Sequence, residues 1–351
     1  NNIAALISKY CLNGIINMVA IDEIKKRKNP YSKQGKAILN INAQYKVAMT
    51  GTPVVNSPLD MYIIMKWLGY ERQDFKKFKD IYCEYGDFDD VIGYKNMGNL
   101  NERVSNFMLR RLKEDVLDLP EKVYINEYVD ILPNQRKVYN EILNDFNKNI
   151  EDIKKQPNIL AAFTRLRQAT DYTGIVSEVY KESAKLNRMV ELVKEHTDNG
   201  EKVVIFSNWT SVTHVIEEKL NDYKKIVITG EVPSDKRQPL VEEFQTNDNV
   251  TVAIGTIGAL GTGLTLTAGT VVIFVDEPWT LANKQQAIDR CHRIGTKSSV
   301  TIYTLLTKYT IDETVHSIVE NKGLLSDAIV GGKLNAEEII KILLEDIEDE
   351  D

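Results

Sequence analysis

The sequence describes an α/β protein with parallel sheets, and three observations carry that reading. Thr270 to Asp276, TVVIFVD, is β-branched and continuously apolar, the pattern of a strand covered on both faces. Four further runs of the same kind, at Lys202–Asn208, Lys225–Gly230, Val250–Thr256 and Val300–Leu306, follow one another with helical stretches between several of them. Upstream, INMVAIDE (Ile16–Glu23) and YKVAMTGTP (Tyr45–Pro53) read as two more strands, each carrying polar residues at its carboxyl end, where α/β sheets bind ligands.

Taken in order, ALISKYC reads as a helix, Ile16–Glu23 as a strand, Ser32–Ile41 as a helix behind the Asn29-Pro30 break, and Tyr45–Pro53 as the second strand. From Asp60 to about Asp118 the spacing of MYIIMKWL and NFMLRRL is helical, with a Gly- and Asp-rich loop between Tyr85 and Asn101. VYINEYVDI, Val123 to Ile131, alternates as a strand does. Pro133 to about His196 is helical with breaks near Pro157 and Gly174, and the amphipathic part up to Val179 is expected to project from the sheets. The five apolar runs after Ser183 then form a parallel sheet with helices on both faces. The organisation expected is residues 1–122, a linking strand and helical insertion over 123–182, a complete α/β lobe over 183–344, and an acidic tail, 345–351.

With 351 residues, 43% of them hydrophobic, the chain can bury a substantial core. No apolar run reaches the ~18 residues of a membrane span, and NNIAALISKYC lacks the layout of a signal peptide, so a cytoplasmic protein without membrane contact is expected. Cys11, Cys83 and Cys291 are scattered, which excludes a disulfide framework and a cysteine zinc site. A net charge of −7 excludes coating of nucleic acid by bulk electrostatics, so any phosphate contact is local. Lys25–Lys28, Arg110 with Arg111 and Lys113, and Lys224 with Lys225 are the basic clusters available for it.

Asp22 and Glu23 at a strand end suit Mg-nucleotide chemistry: the first carboxylate can hold a metal-bound water and the second can orient an attacking one. Thr50-Gly51-Thr52 fits either a loop-closing turn or a relay of nucleotide state. Arg290 and Arg293 lie three apart on a stretch that reads as a helix ending at Gly295, which would place both guanidiniums on one face, as surface cations or as arginine fingers.

The order of AIDEIKKRKNP, AMTGTPVVNSPLDMY, FMLRRLKEDVLDLPEK, LRQ at Leu166, SAKL at Ser183, FSNW, GALGTGLTLT and QAIDRCHRIG resembles that of the SWI/SNF-like ATPases of helicase superfamily two, from about Leu6 to Leu344. The resemblance implies RecA-like parallel sheets, with a partial first lobe, a complete second lobe and a helical insertion. It also implies ATP and Mg as cofactors and double-stranded DNA as a sequence-independent partner, tracked usually without strand separation. Carried over to matching positions, Asp22 would coordinate Mg through water, Glu23 would act as base, and Arg290 and Arg293 would reach the γ-phosphate. Thr50, Gly51, Thr52 and Gln286 would couple nucleotide state to motion; Gly261, Gly263 and Asp289 would bind nucleotide; Asn208, Trp209, Thr262 and Thr265 would face DNA. VGGKL from Val330 resembles the segment that braces the second lobe.

Three departures stand out. Lys25 replaces the usual His or Gln, and Thr296 replaces the Gln that commonly follows HRIG. No GxxxxGK[ST] occurs among the 351 residues, since Gly35-Lys36 is followed by Ala37 and Gly332-Lys333 by Leu334. The expectation is the C-terminal part of a DNA-dependent ATPase that is inactive as it stands and completed by the N-terminal portion of the motor or another protein. The alternatives are a non-catalytic DNA- or protein-binding module, or a strand-separating helicase when complete.

Overall fold

The computed structural model describes residues 2–24, 29–51, 57–86, 91–111, 117–148, 158–261 and 263–322. Two compact units divide between Arg111 and Leu112.

In the first unit, helix α1 (Asn2–Leu12) precedes strand β1 (Met18–Ile21), helix α2 (Lys33–Leu39) and strand β2 (Tyr45–Ala48). The two strands pair in parallel with Ile21 opposite Ala48. Ser32 caps α2 by accepting the Gly35 N–H. A short 3₁₀ turn, Pro58–Asp60, leads into α3 (Met61–Leu68), a helix whose apolar residues are buried nearly all round, with Ile63, Met65 and Trp67 at the core and Gly69 ending it in the left-handed conformation. α4 (Phe75–Tyr82), capped by Asp74, runs straight into a hairpin of β3 (Cys83–Tyr85) and β4 (Val91–Tyr94), followed by α5 (Met97–Ser105). That hairpin stands where the sequence reads as a helix and loop: CEY and VIGY are too short to show strand alternation.

One face of the β1–β2 sheet sends Val19, Ile21 and Ala48 into this core, while Met18 (58% exposed), Tyr45 (59%) and Met49 (44%) are bare on alternate positions. Parallel sheets are ordinarily covered on both faces.

The second unit holds a six-stranded, all-parallel sheet. Its strands are β5 (Lys122–Val129), β6 (Val203–Ser207), β7 (Lys225–Ile228), β8 (Val252–Thr256), β9 (Val271–Phe274) and β10 (Val300–Thr307), in the order β5-β10-β9-β6-β8-β7. Alternation divides its side chains cleanly. Val203 and Ile205 pack with Leu186, Met189 and Leu192 of α8 (Ala184–Asp198) and Val212 and Ile216 of α9 (Thr210–Lys219). Val204 and Phe206 face the opposite layer, α10 (Ser234–Thr246), the short α11 (Ile257–Leu260) and α12 (Leu281–Cys291). Strand β5, read from sequence as a link, is the outermost strand of this sheet, in register with β10 over its whole length.

Helices α6 (Pro133–Lys148) and α7 (Asn158–Asp171), expected to project from the lobes, lie outside the two cores that sandwich the sheet. They share a core with α13 (Ile311–Lys322), in which Tyr139, Leu143, Phe163 and Leu166 meet Ile311, Val315 and Val319. The partner for their apolar stripe lies far downstream, Tyr139 accepting the Ile311 N–H across 172 positions, which periodicity alone does not reveal. No described helix is long and apolar enough to cross a membrane.

Candidate functional site

Asp22 and Glu23 directly follow β1, and Thr50 and Gly51 follow the neighbouring β2, so pairing of the two strands brings both motifs to one sheet end. The main chain closes there through Met49 N–H to Ile21 O, 2.9 Å, and Ile24 N–H to Met49 O, 3.3 Å. Asp22 is exposed, and its Oδ1 accepts the Glu23 N–H at 2.8 Å. Glu23 sits at φ 49°, a left-handed conformation costing a side-chain-bearing residue about 1–2 kcal/mol, which surrounding structure holds in place at functional sites more often than elsewhere. Lys25 and Thr52 fall outside the described residues.

Strand-end carboxylates are donors of the kind a hydrated Mg ion takes; the phosphates of ATP are another matter. Gly35-Lys36 lies inside the capped helix α2, where a Cβ at Gly35 would collide with Asn29 O, and the Gly35 amide is spent on Ser32. It is a helix-packing glycine and offers no cradle of amides. Residues 323–351, including VGGKL, lie outside the described part.

In the second unit α12 ends at Cys291, short of Gly295. Arg290 is therefore helical and Arg293 sits on the turn beyond it, so the expected common helix face does not form. The turn is closed by Thr296, whose Oγ1 donates to Cys291 O at 2.7 Å and accepts the Arg293 N–H at 3.0 Å, while His292 Nε2 donates to Pro120 O at 2.6 Å. The threonine at the position of the family's Gln thus satisfies the helix end. Both guanidiniums reach the loop after α11. Arg290 Nε donates to Gly261 O at 3.1 Å and Nη1 to Leu264 O at 3.5 Å; Arg293 Nη1 donates to Thr265 Oγ1 at 3.2 Å. Arg293 is exposed, and Gly263, also exposed, takes φ 73°. Gln286 and Asp289 lie on the same helix as Arg290, Asp289 accepting from Gln285 at 3.4 Å. Thr262 is outside the described residues.

The chain leaves β6 toward the β8–β7 edge and leaves β9 toward the β10–β5 edge, so their carboxyl ends flank the sheet's topological switch point. Charged side chains fill it. Asp276 accepts Ser207 Oγ at 2.6 Å, the Asn208 amide at 3.0 Å and the Asn208 carboxamide, and lies 3.9 Å from Arg167 Nη2. Arg167 also donates to Glu277 O and stacks 4.3 Å from the Trp279 ring centroid. The second carboxamide donation of Asn208 goes to Glu277 O, 2.9 Å, and Trp209 Nε1 donates to Asp171 Oδ2 at 2.7 Å. The side-chain donors of these two predicted DNA-facing residues thus point inward. Beside them Lys284 bridges Glu277 and Glu320, 3.0 Å each, and His316 Nδ1 lies 2.9 Å from Glu277 Oε2. Burial raises the Glu277 carboxyl, but His316 and Lys284 more than offset it and hold the group below the usual range. Lys284 already supplies the positive charge that this carboxylate and imidazole group could otherwise take from a metal.

Comparison with known proteins decides the kinship. The SNF2-related domain matches residues 3–175, and the helicase conserved C-terminal domain matches 184–295. The chain carries an SNF2-related domain followed by a helicase conserved C-terminal domain. It is 30% identical over 326 residues to an uncharacterized ATP-dependent helicase of Mycoplasma pneumoniae, covering 89% of this chain and 30% of the relative. To a putative ATP-dependent helicase/translocase of Bacillus subtilis it is 29% identical over 333 residues, 90% of this chain and 36% of the relative. The chain spans about a third of the length of these curated relatives. Among solved structures, the Sulfolobus solfataricus SWI2/SNF2 ATPase core in complex with dsDNA is 26% identical with a TM-score of 0.55, covering 97% of this chain and 75% of that one. The RecA-like parallel architecture follows from that likeness together with the observed sheet.

In the sequence Asp276 stands at a strand end, and LRQ and SAKL give no sign of a role for Arg167 or Lys185. The available signal was a charged residue directly abutting an apolar run, which in a packed interior needs a partner.

Proposed function

We propose that these residues form the C-terminal part of an ATP-dependent, SNF2-type translocase motor that acts on double-stranded DNA in the cytoplasm without reading its sequence. The observation that carries the proposal is the interlock of Arg290 and Arg293 with Gly261, Leu264 and Thr265, because it fastens QAIDRCHRIG to GALGTGLTLT through side chains suited to phosphate. Arg290 is spent on main-chain carbonyls and holds the loop; the exposed Arg293 is the residue to present to a phosphate. Mg-ATP, when bound, supplies the phosphoryl group and the charge that polarises it. Asp22 is the residue to hold the metal's water, and Glu23 the one to take the proton of the attacking water.

Charge stabilisation is the main catalytic term in phosphoryl transfer, and the amide cradle and lysine that supply much of it are not encoded in these 351 residues. We therefore assign turnover to a form joined, in cis or in trans, to an α/β segment bearing a phosphate loop, and the bare face of β1 and β2 is a surface suited to it. Residues 1–122 would belong to the first motor lobe and 183–344 to the second. Phosphate contacts by Thr265, Thr262 and main-chain amides would be independent of base sequence. A related core solved with dsDNA supports this partner. The test is to join the chain, in cis or in trans, to an α/β segment bearing a phosphate loop and assay DNA-stimulated ATP hydrolysis. Turnover that falls by ~10³ in Arg293→Ala supports the proposal; DNA binding without turnover, unaltered by Glu23→Gln, favours the non-catalytic module.

A further inference from the structure

Five charged side chains are buried together in the second unit: Arg167 and Asp171 on α7, Lys185 on α8, Asp276 after β9 and Asp312 on α13, none more than 4% exposed. Lys185 Nζ lies 2.7 Å from Asp171 Oδ1 and 2.6 Å from Asp312 Oδ2; Arg167 faces Asp276. Three carboxylates therefore meet two cations, and the surplus negative charge has no water to spread into. A buried charge without a counterion is relieved by neutralisation.

The hydrogen bonds say which carboxylate accepts the proton most cheaply. Asp276 receives the Ser207 hydroxyl and both Asn208 nitrogens. Asp312 receives Thr170 Oγ1 at 2.9 Å, Thr307 N–H at 3.0 Å and Lys185. Asp171 receives only Lys185 and the Trp209 indole on its carboxylate, and Lys185 retains Asp312 if it releases Asp171.

We propose that this cluster is a proton-accepting latch, in which Asp171 takes up one proton from solvent and thereby strengthens the hold of α7 on the sheet while altering its bond to Trp209. The groups facing Asp171 are Arg167 on its own helix, Lys185 on α8, Trp209 past β6, Asp276 past β9 and Asp312 on α13. Burial pushes the Asp171 carboxyl up to about 7 against the pull of Lys185, with Asp276 and Asp312 adding to the rise and Arg167 opposing it; burial raises Asp276 too, against Arg167, Ser207, Lys185 and Asn208, and the donors Asp276 would lose leave Asp171 the cheaper acceptor. Unfolded aspartate titrates near 4, so between about pH 4 and 7 the folded state binds the extra proton; stability from this group is full below that window and is lost as pH rises through it. The latch joins α7 to the 207–209 turn and stands whether or not that turn meets DNA.

The protein carries three tryptophans, and Trp67, in the first unit, donates its indole N–H to Ile41 O. In a ¹H–¹⁵N spectrum of the whole chain, the Trp209 indole resonance follows one titration curve centred near pH 7, the Trp67 resonance stays fixed, and the curve survives His316→Gln but is absent in Asp171→Asn. A static Trp209 resonance from about pH 5.5 to 8.5, or an unchanged curve in Asp171→Asn, overturns the latch. Infrared spectra of wild-type protein with ¹³C-labelled aspartate decide the matter without any variant: a buried, protonated carboxyl band at pH ~6 that vanishes by pH ~8.5 is expected, and its absence at the lower pH refutes the proposal.

Discussion

Lys185→Met removes the one cation shared by Asp171 and Asp312 while keeping most of the side chain's volume. Lys185 is fully buried, and both its ion pairs are 2.7 Å or shorter. Its ordinary charge is secure: burial lowers its proton affinity, but Asp171 and Asp312 outweigh that and raise it. Above about pH 7, where Asp171 is ionised, the variant leaves three buried carboxylates facing Arg167 alone, and breaking a buried pair from one side costs about 3–5 kcal/mol. Against the roughly 5–15 kcal/mol of a typical domain this is a large fraction. For a unit of about 200 residues it corresponds to a melting-point drop of roughly 6–20 °C. Urea unfolding should be followed by the fluorescence of Trp209 and Trp279, with Trp67 reporting the first unit separately; its midpoint should be unchanged. Adding Asp171→Asn should recover part of the loss, because it removes one of the stranded charges. A loss under about 1 kcal/mol, or equal loss at both sets of reporters, would refute the reasoning.

Phe206→Ala empties the centre of the second sheet, where its ring stacks on Phe274 at 5.4 Å between centroids, and should cost about 3–5 kcal/mol in the same unfolding assay. Thr296→Val deletes the hydroxyl that both donates to Cys291 O and accepts the Arg293 N–H; a loss of about 1–3 kcal/mol is expected by thermal melting, and a neutral result would remove Thr296 from the turn's support. Labelled duplexes of unrelated sequence should bind the chain with similar, weak affinity, on the order of 10⁻⁴ to 10⁻⁶ M, and weaken steeply with salt in fluorescence anisotropy; tight, sequence-selective binding would contradict backbone tracking.

The second sheet was legible because five of its strands are apolar on both faces and β-branched, a pattern that survives without context. The first unit was less so. Its β3–β4 hairpin has three and four residues per strand, and the end of α4 continues into it without a break in composition. The helical spacing of QQAIDRCHRIG runs past Cys291, so the turn at Thr296 was hidden until its hydroxyl was seen on the helix end. Asp22, Glu23, Thr50 and Gly51 were readable as strand-end residues, and pairing of β1 with β2 puts them side by side. The buried cluster was not readable, since Thr170 and Asp312 meet across 142 positions and no local pattern links them.

The most direct measurement is ATP hydrolysis by the purified 351-residue chain with saturating duplex DNA, beside the same chain joined to an α/β segment bearing a phosphate loop. The proposed division of the motor predicts no steady turnover by the first, and DNA-stimulated turnover by the second that disappears with Glu23→Gln. Sustained hydrolysis by the 351 residues alone, abolished by Glu23→Gln, would contradict it.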